Sequence, residues 1–303
     1  MSSSKSILVT GATGNQGRGV VRCCLGAGHR VFAYVRDQAT PAAKELHEMG
    51  ATLIQGDFDN DHALRSAFHG VDAVFHLEVQ TGNWETDLQR SINVIQAARS
   101  SPTVFAMIVS TALKTGQHES FPRWGSKHPM YRYWLNKDAI EKIVRDAGFR
   151  TWTIIRPGIF LQNLKHPIRS IFFPGFDKDR TLRVAWKPDT NIPWVDAADV
   201  GIVVAAALSQ PEEYAGKEVD LVAETLTIET LAVKLCDVLK ADIKVHTLSD
   251  GEAQELIDQG NPCPAAQQWA NEVFHGTEAA RLSTCNLTLT SVQSFLEHNA
   301  TVI

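Results

Sequence analysis

Ser6-Ile7-Leu8-Val9-Thr10-Gly11-Ala12-Thr13-Gly14-Asn15-Gln16-Gly17 decides the fold of this chain. The short apolar run Ile7–Val9 predicts a buried strand. It empties into glycines at 11, 14 and 17, after which a helix begins. Glycine allows a tight strand-to-helix turn and lets backbone N–H groups approach a pyrophosphate resting on the helix N-terminus. The spacing is G-x-x-G-x-x-G, and its place between a strand and a helix makes it a dinucleotide-binding loop. Gly11, Thr13, Gly14, Asn15, Gln16 and Gly17 are therefore expected to line the cofactor.

Outward from this loop, strand and helix alternate with short connections, the pattern of a doubly wound parallel sheet. Strands are expected at Ser6–Thr10, Arg30–Val35, Thr52–Gln55, Ala73–Leu77, Val104–Ser110 and Thr151–Arg156. Helical spacing lies between them, as with Leu88, Ile92 and Ile95. After Arg156 the alternation stops. Residues 157–193 read as loop with at most one short helix, followed by a helix carrying Val200, Val203, Val204, Ala207 and Leu208 on one face. Lys217–Ala223 reads as a strand, Thr227–Leu239 as a capped amphipathic helix, and the last sixty residues as mostly helical. The expected fold is α/β: a Rossmann-type doubly wound parallel sheet with a smaller C-terminal α+β substrate lobe. Residues 1–156 and 193–223 would form the nucleotide-binding domain, and 157–192 and 224–303 the lobe.

The composition narrows the function. The 303 residues are 44% hydrophobic and 21% charged, enough for a sizeable core. A formal charge of -5 argues against a protein that grips nucleic acid through phosphate contacts. No apolar run reaches membrane-spanning length. The polar opening Met1-Ser-Ser-Ser-Lys5 offers no signal-peptide core, which sets the expectation of a cytoplasmic protein. Cys23, Cys24, Cys236, Cys263 and Cys285 show no metal-ligand spacing and suit a reducing compartment, where the sequons at Asn286 and Asn299 would stay unmodified. His62, His69 and His76 recur every seven residues but straddle a helix, a turn and a strand, so they cannot converge on a metal.

At the end of the second strand, Arg36 precedes Asp37. An acidic side chain first in this position suits a free ribose; a guanidinium instead suits the 2′-phosphate of NADPH. Pairing of Arg36 with Asp37 or with the surface, which leaves the cofactor preference open, is the alternative. Asp57 and Phe58, after the third strand, are expected at the adenine end, and Leu77, at the end of the fourth, beside the bound cofactor.

Tyr133 and Lys137 stand one helical turn apart in a helix expected from Pro129 to about Ala147. Its inner stripe reads Met130, Tyr133, Lys137, Ile140, Val144 and Ala147, with Asp138, Glu141, Lys142 and Arg145 on the outer faces. A lysine on that stripe needs acceptors, such as ribose hydroxyls or the tyrosine oxygen.

These features together resemble the NmrA-like family of atypical short-chain dehydrogenases/reductases. The resemblance rests on Thr10-Gly-Ala-Thr-Gly-Asn-Gln-Gly17, the Arg36 strand end and Gly56-Asp57. It continues through Tyr133-Trp-x-x-Lys137-x-x-Ile140-Glu141, Ile155-Arg-Pro157-Gly and Val195-Asp-x-x-Asp199-Val200, to about Ala223. It implies that Tyr133 is the general acid or base and that Lys137 binds the nicotinamide ribose and tunes the tyrosine. It also places Ser110 and Pro157 at the cofactor. In extended relatives a serine or threonine near the end of the fifth strand holds the substrate oxygen. Here Ala112 could occupy that position, with Ser110 or Thr111 substituting.

Aromatic bulk marks the substrate side: Trp84, Trp124, Tyr131, Trp134, Phe160, Phe172, Phe173 and Trp186 flank the carboxyl ends of the strands, where such sheets bind ligands. Of these, Trp84, Trp124, Tyr131 and Phe160 are the expected substrate contacts. The resulting expectation is an NADPH-dependent reductase, or an NADPH-supported modifying enzyme, acting on a bulky aromatic small molecule of specialised metabolism. The competing expectation is a redox sensor that binds NADP(H) and signals to a partner protein without turnover. Neither involves nucleic acid or membrane, and a homodimer is left open.

Overall fold

The computed structural model describes residues 4–274 and 287–303; Cys285 and the Asn286 sequon lie outside them. Contacts divide the chain into two compact units. The first comprises Met1–Gly116, Arg132–Pro157 and Ala197–Leu221, and the second Gln117–Tyr131, Gly158–Asp196 and Val222–Ile303. The segment 117–131 thus clusters with the second unit although sheet elements flank it in sequence.

The first unit is built on seven parallel strands: β1 (Ser6–Val9), β2 (Arg30–Val35), β3 (Thr52–Gln55), β4 (Ala73–Leu77), β5 (Ala106–Ser110), β6 (Thr151–Pro157) and Lys217–Leu221. Their spatial order runs from Lys217–Leu221 through β6, β5, β4 and β1 to β2 and β3. The order reverses between β1 and β4, the switch point at which open parallel sheets bind ligands. β1, β4 and β5 are buried on both faces apart from the tip of β4, which explains their unbroken apolar runs. The final strand comes from beyond the interruption in the sequence and extends the sheet past β6.

Four helices follow the first four strands: α1 (Asn15–Gly26), α2 (Pro41–Glu48), α3 (Asp61–Ala67) and α4 (Trp84–Ser100). Thr40, Asn60 and Asn83 cap α2, α3 and α4 by accepting a backbone N–H in the first turn. Helix α1 starts differently. Its N-cap is Gly14, with no side chain to close the turn. The helix Val200–Ser209 lies directly against α1, where Gly19 and Gly201 let the backbones meet; a Cβ on Gly201 would stand 2.3 Å from the Gly19 carbonyl oxygen.

Helix α5 spans Tyr131–Asp146, so Pro129 lies in the turn before it and not at its first position. Its buried face also departs from the expected stripe. Trp134, Asn136, Lys137, Asp138, Ile140, Glu141 and Val144 are buried, whereas Met130, Tyr133 and Ala147 are half-buried. Asp138 and Glu141, expected in water, are inside.

In the second unit, residues 157–193 are more regular than a loop. Ile159–Phe160 pairs in parallel with Ile192–Val195, which pairs antiparallel with Glu224–Leu226, and Thr181–Val184 pairs in parallel with Lys244–Thr247. Phe173, Phe176, Trp186 and Trp194 fill its interior. Helices Ile228–Leu239, Asp250–Asp258, Cys263–Val273 and Val292–Asn299 complete it, the first capped by Thr227. Among the described residues no helix is long and apolar enough to cross a membrane.

Candidate functional site

The glycine loop forms a cradle. Gly11 has φ of +58°, a conformation that disfavours any side chain, and a Cβ there would press on Leu77 at 3.3 Å. Gly17 is packed shut: a Cβ would stand 2.2 Å from the Gly11 carbonyl oxygen. Gly14 is the reverse, exposed, with only the Gly11 oxygen 3.3 Å from where a Cβ would be. The Gly14 N–H is turned back onto the Gly11 carbonyl at 3.0 Å, and the Gly14 carbonyl takes the first helical bond from Arg18. The following N–H groups of α1 therefore face an open concavity with no side-chain cap, the arrangement that binds an anion. Thr13 and Asn15 are exposed at its rim. Gln16 is tied to the next-but-one strand, its Oε1 accepting the Ser110 hydroxyl at 2.7 Å.

At the end of β2, Arg36 is exposed and, among the described residues, has no hydrogen-bond or ion-pair partner. The Asp37 carboxylate is occupied by the Ala39 N–H at 2.8 Å, so the pairing of Arg36 with Asp37 does not form. Asp57 is exposed and closes its own turn by accepting the Asp59 N–H. Phe58 is half-buried, stacked on Tyr34 at 5.7 Å and edge-on to His76. Its ring therefore belongs partly to the interior of the sheet's outer edge.

The end of β4 and the start of α5 bring together the most unusual group. Lys137 is 6% exposed, and its ammonium lies 3.0 Å from the Glu78 carboxylate, whose side chain is fully enclosed. The second Glu78 oxygen accepts the Asn136 amide at 2.8 Å, and the same amide also donates to the Trp84 carbonyl. Lys137 also sits over the Tyr133 ring, 5.5 Å from its centroid, so it meets the face of the ring. Among the described residues the Tyr133 hydroxyl has no hydrogen-bond partner. Burial, and secondarily the Glu78 charge, push the Tyr133 phenol well above its usual range. Trp84 stands edge-on to that ring at 6.4 Å, and Trp134 on its other side at 4.9 Å. Below them His76 bonds Thr10 at 2.9 Å, and its pKa is lowered to about 3 by burial and by the Lys137 charge, so it is neutral.

Sequence reasoning missed Glu78 entirely. Its signal was a single acid directly following an apolar strand at the ligand-binding edge. It also misplaced Glu141. That carboxylate accepts the Thr111 hydroxyl at 2.7 Å and the Arg145 and Arg156 guanidinium groups at 2.7 and 2.5 Å. Thr111 is thereby drawn into a buried ion network, with its hydroxyl proton given to Glu141. Ser110 is held by its hydrogen bond to Gln16 of the glycine loop. Pro157 accepts the Leu113 N–H at the end of β6.

The aromatic residues divide. Trp134, Phe173 and Trp186 are enclosed core residues, so they cannot line a pocket. Trp84, Trp124, Tyr131, Phe160 and Phe172 remain half-buried. In the second unit Trp124 packs against Tyr131 at 5.1 Å, His118 at 4.8 Å and His128 at 5.2 Å, an aromatic patch backed by Phe121 and Trp269.

Comparison with known proteins places the chain in a family. It matches the NmrA-like family over residues 3–275 and belongs to it. It is 31% identical over 228 residues to the NmrA-like family domain-containing oxidoreductase ptmS of Penicillium ochrochloron, a match covering 69% of this chain and 66% of that protein. An NAD(P)H azoreductase of Xenophilus azovorans is 30% identical over 207 residues, covering 68% of this chain and 64% of its own. The chain thus spans just under two thirds of the length of these relatives. Its fold is that of NmrA, a negative transcriptional regulator solved in complex with NADP, with a TM-score of 0.70 at 22% identity over 89% of this chain and 95% of the other.

Proposed function

We propose that this member of the NmrA-like family is an NADPH-dependent reductase of a bulky aromatic small molecule. The observation that carries the reading is the tyrosine of the first unit: a phenol whose hydroxyl has no partner among the described residues, held beside a buried lysine one turn away on α5. The names of the two curated relatives, an oxidoreductase and an NAD(P)H azoreductase, point the same way.

The residues present fit a dinucleotide. The Gly14 position leaves room where a side chain would intrude, and the uncapped turn at Asn15–Gly17 offers N–H groups to a pyrophosphate. Arg36 is free to take a 2′-phosphate in two-pronged fashion. Asp57, Phe58 and Leu77 would line the adenosine half, and Ser110, Gln16, Lys137 and Pro157 the nicotinamide half. Lys137 would exchange part of its contact with Glu78 for ribose hydroxyls.

Bound there, the nicotinamide supplies a hydride to a C=O, C=N or activated C=C bond. Tyr133 gives its proton to the substrate atom that gains the electron pair and recovers one from solvent. Trp84, against the Tyr133 ring, presents an apolar wall to the substrate.

The test is NADPH consumption with a panel of quinones, azo compounds and aromatic imines. Tyr133→Phe is expected to bind NADPH as tightly as the unmodified protein and to lose roughly 10²–10⁴-fold in turnover. Full activity in that variant overturns the role of Tyr133. Tight NADPH binding with no turnover across the panel favours the sensor reading.

A further inference from the structure

Glu78 is not explained by cofactor binding alone. A carboxylate at the tip of β4, with no exposed side-chain surface, is costly to bury unless it is well partnered. Its partners are few: the Asn136 amide at 2.8 Å and the Lys137 ammonium at 3.0 Å. The oxygen facing Lys137 receives no directed hydrogen bond. The contact is therefore chiefly one of charge with charge.

That charge has a specific neighbour. An ammonium beside a phenol favours the phenolate, because it stabilises the negative form. A phenolate accepts protons, which suits the oxidation of an alcohol. Reduction needs the opposite, a phenol that still carries its proton. Lys137 lies over the Tyr133 ring, and Glu78 lies against Lys137 on the same side of α5. The remaining titratable group here, His76 of β4, is neutral, and Asn136, Trp84 and Trp134 carry no charge.

We propose that Glu78 is a positioning residue that commits this site to reduction, by holding and neutralising Lys137 so that Tyr133 remains a proton-carrying phenol. The inference rests on the reductase reading and adds the direction in which the site is poised. Glu78 acts through Lys137 and Tyr133 and need not touch substrate. The Glu78 charge also acts on the Tyr133 phenol directly, raising it after burial has done so, which is the same direction.

The test is an alkaline titration of tyrosinate absorbance on the full chain without cofactor or substrate. The four tyrosines are separated by subtracting the trace of the matching Tyr133→Phe variant. Glu78→Gln preserves the shape and an oxygen for Asn136 but removes the charge. The Tyr133 step is expected at least one pH unit lower in Glu78→Gln than in the unmodified protein, a tenfold change in the proton equilibrium. Glu78→Asp is expected to restore the step to within a few tenths of a unit. In turnover, the alkaline limb of reduction should move down with the step.

Glu78→Ser serves the same comparison if the glutamine variant does not fold. A Tyr133 step that stays in place, or traces of Glu78→Gln and its Tyr133→Phe double variant that coincide wherever both are folded, overturns the proposal. Because the titration needs no cofactor, its failure is distinct from that of the reductase reading, which fails on absent NADPH consumption.

Discussion

Helix α5 serves two buried carboxylates in opposite ways. Glu141, on the helix itself, is saturated: it accepts Thr111, Arg145 and Arg156, and both arginines also reach Glu218. Its partners come from the ends of β5 and β6 and from α5 itself, and the two arginines reach on to Glu218 of the neighbouring strand Lys217–Leu221, so the network ties three parallel strands to one helix. Glu78, at the tip of β4, has one amide and one ammonium, and the ammonium is shared with an aromatic ring. The difference separates structure from chemistry. A carboxylate ringed by guanidinium groups has no capacity left for a ligand. A lysine held by one poorly directed ion pair can take a further acceptor while keeping its carboxylate.

The largest effect expected from this contrast is on stability. Glu141→Gln removes the buried charge that the half-buried Arg156 pairs with, leaving that guanidinium only Glu218 among the described residues. Such a loss costs about 3–5 kcal/mol, which should lower the melting temperature on the order of 10 °C in a protein of this size. NADPH affinity of the folded molecules should stay the same. An unchanged melting temperature by calorimetry would break the contrast at its structural end.

A smaller effect sharpens the other end. Among the described residues Arg36 is exposed with no ion-pair or hydrogen-bond partner, so its removal should leave stability within experimental scatter. Arg36→Ala should weaken NADPH binding by about 1.5–3 kcal/mol, the worth of a charge-assisted contact, and leave NADH affinity unchanged. Isothermal titration with both cofactors measures it. Equal affinities for NADPH and NADH in the unmodified protein would remove Arg36 from the argument.

The contrast also shows how far the sequence could be read. The first six strands lie within two residues of where apolar runs and glycine turns place them, because each is a short local run bounded by turn residues, and β1, β4 and β5 are buried along nearly their whole length. The loop was legible for the same reason: a glycine triplet after Ile7–Val9 has few other uses. Residues 157–193 were not legible as strands. Thr181–Val184 finds its partner at Lys244–Thr247, and a four-residue strand with a remote partner leaves no periodic mark.

On α5 the apolar stripe pointed correctly to a buried Lys137 but put Glu141 in water, because periodicity assumes that charge faces outward. Ion networks inside a protein break that assumption, as Arg156 reaching across from β6 does. Glu78 was hidden for a related reason. Its partners lie 58 and 59 residues away on a helix, and only the folded chain brings them together.

The most direct measurement of the central claim, that the Lys137 side of this contrast is the working site, is a titration of NADPH into Lys137→Met. Methionine keeps the length and apolar bulk of the stem while removing the ammonium. NADPH affinity is expected to be at least about tenfold weaker, the scale of one hydrogen bond to a charged group, with the fold intact by circular dichroism. A folded Lys137→Met protein that binds NADPH as tightly as the unmodified chain would contradict it.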